Sequence, residues 1–164
     1  MRQTKKVPMP ERNESKQDYR TPDNFIVPVQ RRFGVLTVDL AATREDAQAR
    51  AFVTPEEDSL SIDWVERFEG ENCWLNPPYS HIAPWAAKCA DFAARAKTGR
   101  ILFLVPASVG ANWYRDHVYN KAHVIALNGR ITFVGMTTPY PKDCILCVFG
   151  AGIFGFEVWN WTQP

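Results

Sequence analysis

The sequence predicts an α/β fold with a mostly parallel sheet and a C-terminal antiparallel hairpin. Short β-branched or aliphatic runs alternate with stretches of helical periodicity between residues 35 and 127. Some of these runs are apolar at consecutive positions, as in "RILFLVP" (100–106), which marks strands buried on both faces. Two final runs, "CILCVFG" (144–150) and "GIFGFEVWNW" (152–161), meet at "GAG" and read as a hairpin at the sheet edge.

With 164 residues, 46% hydrophobic content and six tryptophans, the chain suits one domain with a substantial core. Residues 1–18 mix charges without periodicity and read as a flexible basic N-terminal arm, leaving residues 19–164 as a single domain. Thr21 is expected to cap a first helix, with Pro22 at its first position, Phe25, Ile26, Val29 and Phe33 on its apolar face and Gly34 at its end; Pro28 should kink or break it. "VLTVDL" (35–40) reads as a strand with Asp39 near its carboxyl end. "ATREDAQARAF" (42–52) looks helical, while "AFVT" (51–54) and "DSLSID" (58–63) suit short strands or extended edges. "NCWL" (72–75) is the next strand, followed by a helix from Ile82 towards Gly99 and a strand over 100–106. "NWYRDHVYNKA" (112–122) reads as a helix and "HVIAL" (123–127) as a strand.

Net charge is +1, but it is unevenly spread. Residues 39–71 hold ten acids against three bases, whereas Lys88 to Lys142 holds eight bases against Asp91 and Asp116. A basic half is compatible with nucleic-acid binding; of Arg31, Arg32, Arg100, Arg115, Arg130 and Lys142, some are expected to contact phosphate and the others to be solvated charges. Cys73, Cys89, Cys144 and Cys147 read as core thiols rather than a disulfide framework. The Cys144-x-x-Cys147 pair lies in an apolar run without further nearby ligands, so no metal site is expected. The polar N-terminus and the lack of a membrane-length apolar stretch suggest a cytoplasmic protein without membrane association.

Residues 74–80, "WLNPPYS", end a strand with an amide, two prolines and an aromatic ring. Pro77 and Pro78 supply no N–H and fix the direction of their carbonyls. Such a turn suits an exocyclic amino group, whose lone pair is delocalised into its ring. Acceptors aimed at the two amine hydrogens, the Asn76 side-chain oxygen and a proline carbonyl, favour a pyramidal nitrogen and stabilise positive charge as it develops. Tyr79 can stack on an extruded base. Asp39 alone would equally serve as a helix-cap acceptor, Ser108 as a helix cap, and Trp85 and Trp113 as core residues.

The ordered series "TPDNFIVPVQRRFGVLTVDLAAT", "FVTPEEDSLSIDW", "WLNPPYS", "LFLVPAS" and "GRITF" resembles the phage-encoded Dam-like DNA adenine-N6 methyltransferases from about Tyr19 to Phe149. The resemblance implies a Rossmann-like methyltransferase sheet and S-adenosyl-L-methionine as cofactor. It also implies double-stranded DNA as substrate and a catalytic set of Asn76, Pro77, Pro78 and Tyr79. It further places Thr21, Pro22, Asp39, Ala41, Ala42, Asp58 and Leu60 at the cofactor, with Thr21 and Pro22 at its methionine part and Asp58 and Leu60 at its adenine. Ala41 and Ala42 stand where methyltransferases broadly carry a Gly-rich turn, and Glu56 and Glu57 are both candidates for the ribose.

On this reading the protein methylates adenine N6 with weak or short sequence preference, protecting phage DNA from restriction, and a homodimer would enlarge its DNA contact. Cytosine N4, an RNA guanine N2 or a protein glutamine would also suit an Asn-Pro-Pro-Tyr turn. A non-catalytic DNA-binding or anti-restriction protein on the same fold is a further alternative.

Overall fold

The computed structural model describes residues 19–163; the expected basic arm lies outside the described residues. One sheet contains β1 (Val38–Asp39), β2 (Ala51–Phe52), β3 (Asn72–Leu75), β4 (Arg100–Pro106), β5 (His123–Asn128), β6 (Cys144–Phe149) and β7 (Gly155–Asn160). Their spatial order is β2-β1-β3-β4-β6-β5-β7. All strands run in one direction except β6, which is antiparallel to both neighbours.

Helices cover both faces, as the continuous apolar runs require. Along β4, Ile101, Phe103 and Val105 point into the layer shared with α2 (Trp64–Phe68) and α3 (Ala83–Arg95). Leu102 and Leu104 point into the layer shared with α1 (Asp23–Phe33). The same alternation along β6 sends Ile145, Cys147 and Phe149 one way and Cys144, Leu146 and Val148 the other. All four cysteines are buried free thiols.

The mostly parallel α/β sheet is borne out, but the terminal hairpin is not. β6 lies between β4 and β5, while β7 pairs in parallel with β5 at the outer edge. Burial explains this exchange of places. Every residue of β6 is buried, so it takes an interior position, whereas β7 leaves Phe156 and Val158 exposed and takes the rim. The glycine-containing loop crosses the start of β5, where the Gly155 N–H donates to the Ala122 carbonyl at 3.4 Å.

Other expectations change locally. Pro22, rather than Thr21, occupies the N-cap of α1, and the helix continues through Pro28. Residues 42–50 form turns instead of a helix because acidic side chains capture their backbone. Asp46 accepts from the Thr43 N–H and hydroxyl, and Asp39 accepts from the Gln48 N–H. β2 fulfils the strand expected at "AFVT", but "DSLSID" contains a 3₁₀ turn over Ser59–Ser61. The helix α4 (Asn112–His117) is shorter than expected. The Tyr119 N–H reaches back to the Tyr114 carbonyl at 2.9 Å, and Asn120 adopts a left-handed φ of 55° that ends the turn.

Candidate functional site

The carboxyl ends of β1 and β3 lie side by side, with Asp39 paired in register with Trp74. This places Asp39 beside the strand that delivers Asn76, at the edge where open α/β sheets bind ligands. A cavity of about 260 Å³ opens there. Its wall includes Thr21, Asp39, Ala41, Ala42, Asp58, Asn76, Pro77 and Pro78, so the structure brings together most of the expected site residues. Pro22, Leu60 and Tyr79 are absent from that wall. Pro22 caps α1 and accepts from the Phe25 and Ile26 N–H groups, whereas Leu60 lies beyond the neighbouring Ser59, which does face the cavity.

Asp39 is only 3% exposed. Its two oxygens accept from the Ala41 N–H at 3.2 Å and the Gln48 N–H at 2.9 Å. Burial nevertheless raises its carboxyl to about 6, with those two bonds pulling it down and nearby Asp46 pushing it up. Asp58 takes a left-handed φ of 50°, and its carbonyl accepts from the Ser61 N–H and hydroxyl. Next to it, Ser59 is 4% exposed and its hydroxyl has no hydrogen-bond partner.

Asn76 is held at three points. Its Nδ2 donates to the Tyr19 carbonyl at 2.6 Å and to Thr21 Oγ1 at 3.0 Å, while its Oδ1 accepts from the Tyr79 hydroxyl at 2.8 Å. The Tyr79 ring belongs to an aromatic group with Tyr19, Phe133 and Tyr140, whose centroids lie 5.1–6.3 Å apart. Burial holds the Tyr79 hydroxyl well above the usual phenol range, which keeps its donor proton in place. The same cause pushes Tyr140 up to about 12.

Several cavity residues escaped the sequence reading: Tyr19, Arg20, Thr43, Asp46, Gln48 and Ser59. Trp85, expected in the core, also faces the cavity while its ring leans towards Trp64. Neither acid proposed for a ribose reaches the wall. Glu57 accepts from the Thr54 N–H and pairs with Arg67, while Thr54 and Pro55 take the lining positions. The expected basic set is also divided. Arg100 begins β4 at the far edge, where it bonds Asn72; Arg130 and Lys142 lie in the segment joining β5 to β6 at the cavity edge, with Arg130 paired to Asp143. Arg32 pairs with Glu157, and Arg115 pairs with Asp116.

The family model described as DNA N-6-adenine-methyltransferase (Dam) matches residues 10–144. The chain is 28% identical over 108 residues to the DNA N-6-adenine-methyltransferase of Haemophilus phage HP1 (strain HP1c1), covering 65% of this chain and 59% of that protein. It is 26% identical over 114 residues to the DNA N-6-adenine-methyltransferase of Escherichia phage T1, covering 70% of this chain and 46% of that protein. The chain therefore spans about half the length of these relatives. The family match runs from ahead of α1 to the first residue of β6 and contains the entire cavity wall, so the chain belongs to the DNA N-6-adenine-methyltransferase (Dam) family.

Proposed function

We propose that the protein transfers a methyl group from S-adenosyl-L-methionine to adenine N6 in double-stranded DNA. The observation that carries this reading is the bonding of Asn76. Both Nδ2 hydrogens have partners within the chain, so the side chain presents acceptor capacity through Oδ1. Among the described residues no donor engages the Pro77 carbonyl, which supplies a second acceptor for the amine. These two oxygens accept hydrogen bonds from the amine and favour a pyramidal nitrogen, while Tyr79 provides the ring against which the extruded base rests. The reaction is a direct displacement without a covalent enzyme intermediate, and the surplus N6 proton passes to solvent once nitrogen has gained the methyl group.

The cavity fits the proposed cofactor. Asp39, Asp46 and Asp58 outnumber Arg20 in its wall, which suits a ligand bearing a sulfonium and an α-ammonium. The unpartnered Ser59 hydroxyl offers a polar contact to its nucleoside part beside Asp58, while Val53 and Trp85 add apolar walls. When bound, the cofactor supplies an electrophilic methyl group; Asp39, Ala41, Ala42 and Asp58 are assigned to hold it, while Asn76 to Tyr79 orient the acceptor. Short sequence preference and protection of phage DNA complete the proposal, with Arg130 and Lys142, on the segment joining β5 to β6, as phosphate contacts.

Incubation of methyl-labelled cofactor with unmethylated duplex DNA, and in parallel with RNA and with protein, followed by nucleoside and amino-acid analysis, tests this function. Labelled N6-methyladenine in wild-type reactions, and its loss in Asn76→Ala with cofactor binding retained, is the expected result. Label in N4-methylcytosine, RNA or protein instead would reassign the acceptor, and cofactor binding without transfer to any of them would refute catalysis.

A further inference from the structure

The chain segment entering α1 holds the Asn76 amide in one orientation. A side-chain amide can turn by half a revolution, exchanging its donor and acceptor, and only one orientation offers Oδ1 to an amine. In the other, Oδ1 would stand against the Tyr19 carbonyl, which now accepts from Nδ2 at 2.6 Å. The second Nδ2 hydrogen goes to Thr21 Oγ1 at 3.0 Å. Thr21 is 4% exposed, so water does not readily replace its hydroxyl. Its carbonyl accepts from Gln48 Nε2 at 3.4 Å, and the Gln48 N–H donates to Asp39. The support for Asn76 is therefore continuous with the acidic cavity wall.

We infer that Thr21 is a positioning residue for the methyl-transfer step, acting through Asn76: the Tyr19 carbonyl, an obligate acceptor, sets which way the amide faces, and the buried Thr21 hydroxyl takes the second Nδ2 hydrogen and so fixes the amide plane with Oδ1 towards the acceptor amine. This inference rests on the proposed amino-group methylation and gives Thr21 a role distinct from contact with the cofactor. Oδ1 has two acceptor sites, one used by the Tyr79 hydroxyl and the other left for substrate. Without the Thr21 hydroxyl, Nδ2 retains a buried unsatisfied hydrogen and the amide, held by the Tyr19 carbonyl alone, swings about that single bond into positions that accept poorly from the amine.

Thr21→Val preserves shape and removes the hydroxyl, whereas Thr21→Ser restores it. The expected result is a kcat reduced roughly 10- to 100-fold in Thr21→Val, with KM for cofactor and DNA within about twofold of wild type, and recovery to within about threefold in Thr21→Ser. Side-chain amide NMR provides a readout independent of turnover. The Asn76 Nδ2 hydrogens should exchange with water roughly tenfold faster or more in Thr21→Val while backbone resonances elsewhere remain folded. Unchanged exchange, a change confined to cofactor affinity, or no rescue by serine would overturn the positioning role. A wild-type protein that methylates nothing but shows the exchange difference would overturn the transferase reading while retaining the predicted hold on Asn76.

Discussion

Asp39→Asn gives a direct test of the buried carboxyl at the cavity. The group sits at about 6 in the folded protein against an ordinary 3.8, so folding favours its protonated form. Its stabilising contribution is fully present below the unfolded value and is lost as pH rises through the folded value. At 1.36 kcal/mol per pH unit, the full loss is about 3 kcal/mol. Titration with these two values places about 1 kcal/mol of the loss below about pH 4.5 and about 2 kcal/mol between about pH 4.5 and 8. Asp63, Glu57, Asp116 and Glu157 are held below their ordinary values, so their linked losses occur on the acid side of that interval. Urea unfolding followed by tryptophan fluorescence should therefore show the stability of wild type relative to Asp39→Asn falling by about 2 kcal/mol across the interval. A constant difference, or one that rises with pH, would refute the assigned burial effect.

Tyr79→Phe removes the donor to Asn76 Oδ1 but keeps the ring within its aromatic group; kcat should fall roughly 5- to 20-fold and stability by less than about 1 kcal/mol, measured by initial rates and thermal melts. Gly99→Ala places a Cβ 2.8 Å from the Gly70 nitrogen at a φ of +87° and should destabilise the fold by roughly 2–4 kcal/mol in urea titrations. Phe103→Ala empties a fully buried position between β4 and α3; a loss of about 3–5 kcal/mol is expected from the same measurement.

The strands β3, β4 and β5 were legible because burial on both faces writes an unbroken apolar run into the sequence. The Asn-Pro-Pro-Tyr turn was equally visible because its chemistry is carried by adjacent residues. Residues 42–50 misled because helical composition competes there with side-chain acceptors at Asp39 and Asp46, and the acceptors win. The hairpin misled for another reason: two apolar runs beside a glycine-containing loop do not reveal that β5 lies between them. Tyr19, Phe133 and Tyr140 gather around Tyr79 only after the chain folds, so neither spacing nor periodicity marks them. Ser59 likewise becomes notable only because burial leaves its hydroxyl unpartnered.

The interior place of β6 sets a timetable for folding. β4 ends at Pro106, and its second neighbour begins only at Cys144, after α4 and β5 have been synthesised. Until then, the apolar face and free edge of β4 await a distant part of the chain, so closure of the sheet is a non-local and comparatively slow event. A nascent chain stalled within residues 107–143 would hold the Asn-Pro-Pro turn while leaving the central sheet edge open to aggregation or chaperone capture. The strand that closes the sheet therefore also makes native assembly depend on a late-emerging segment.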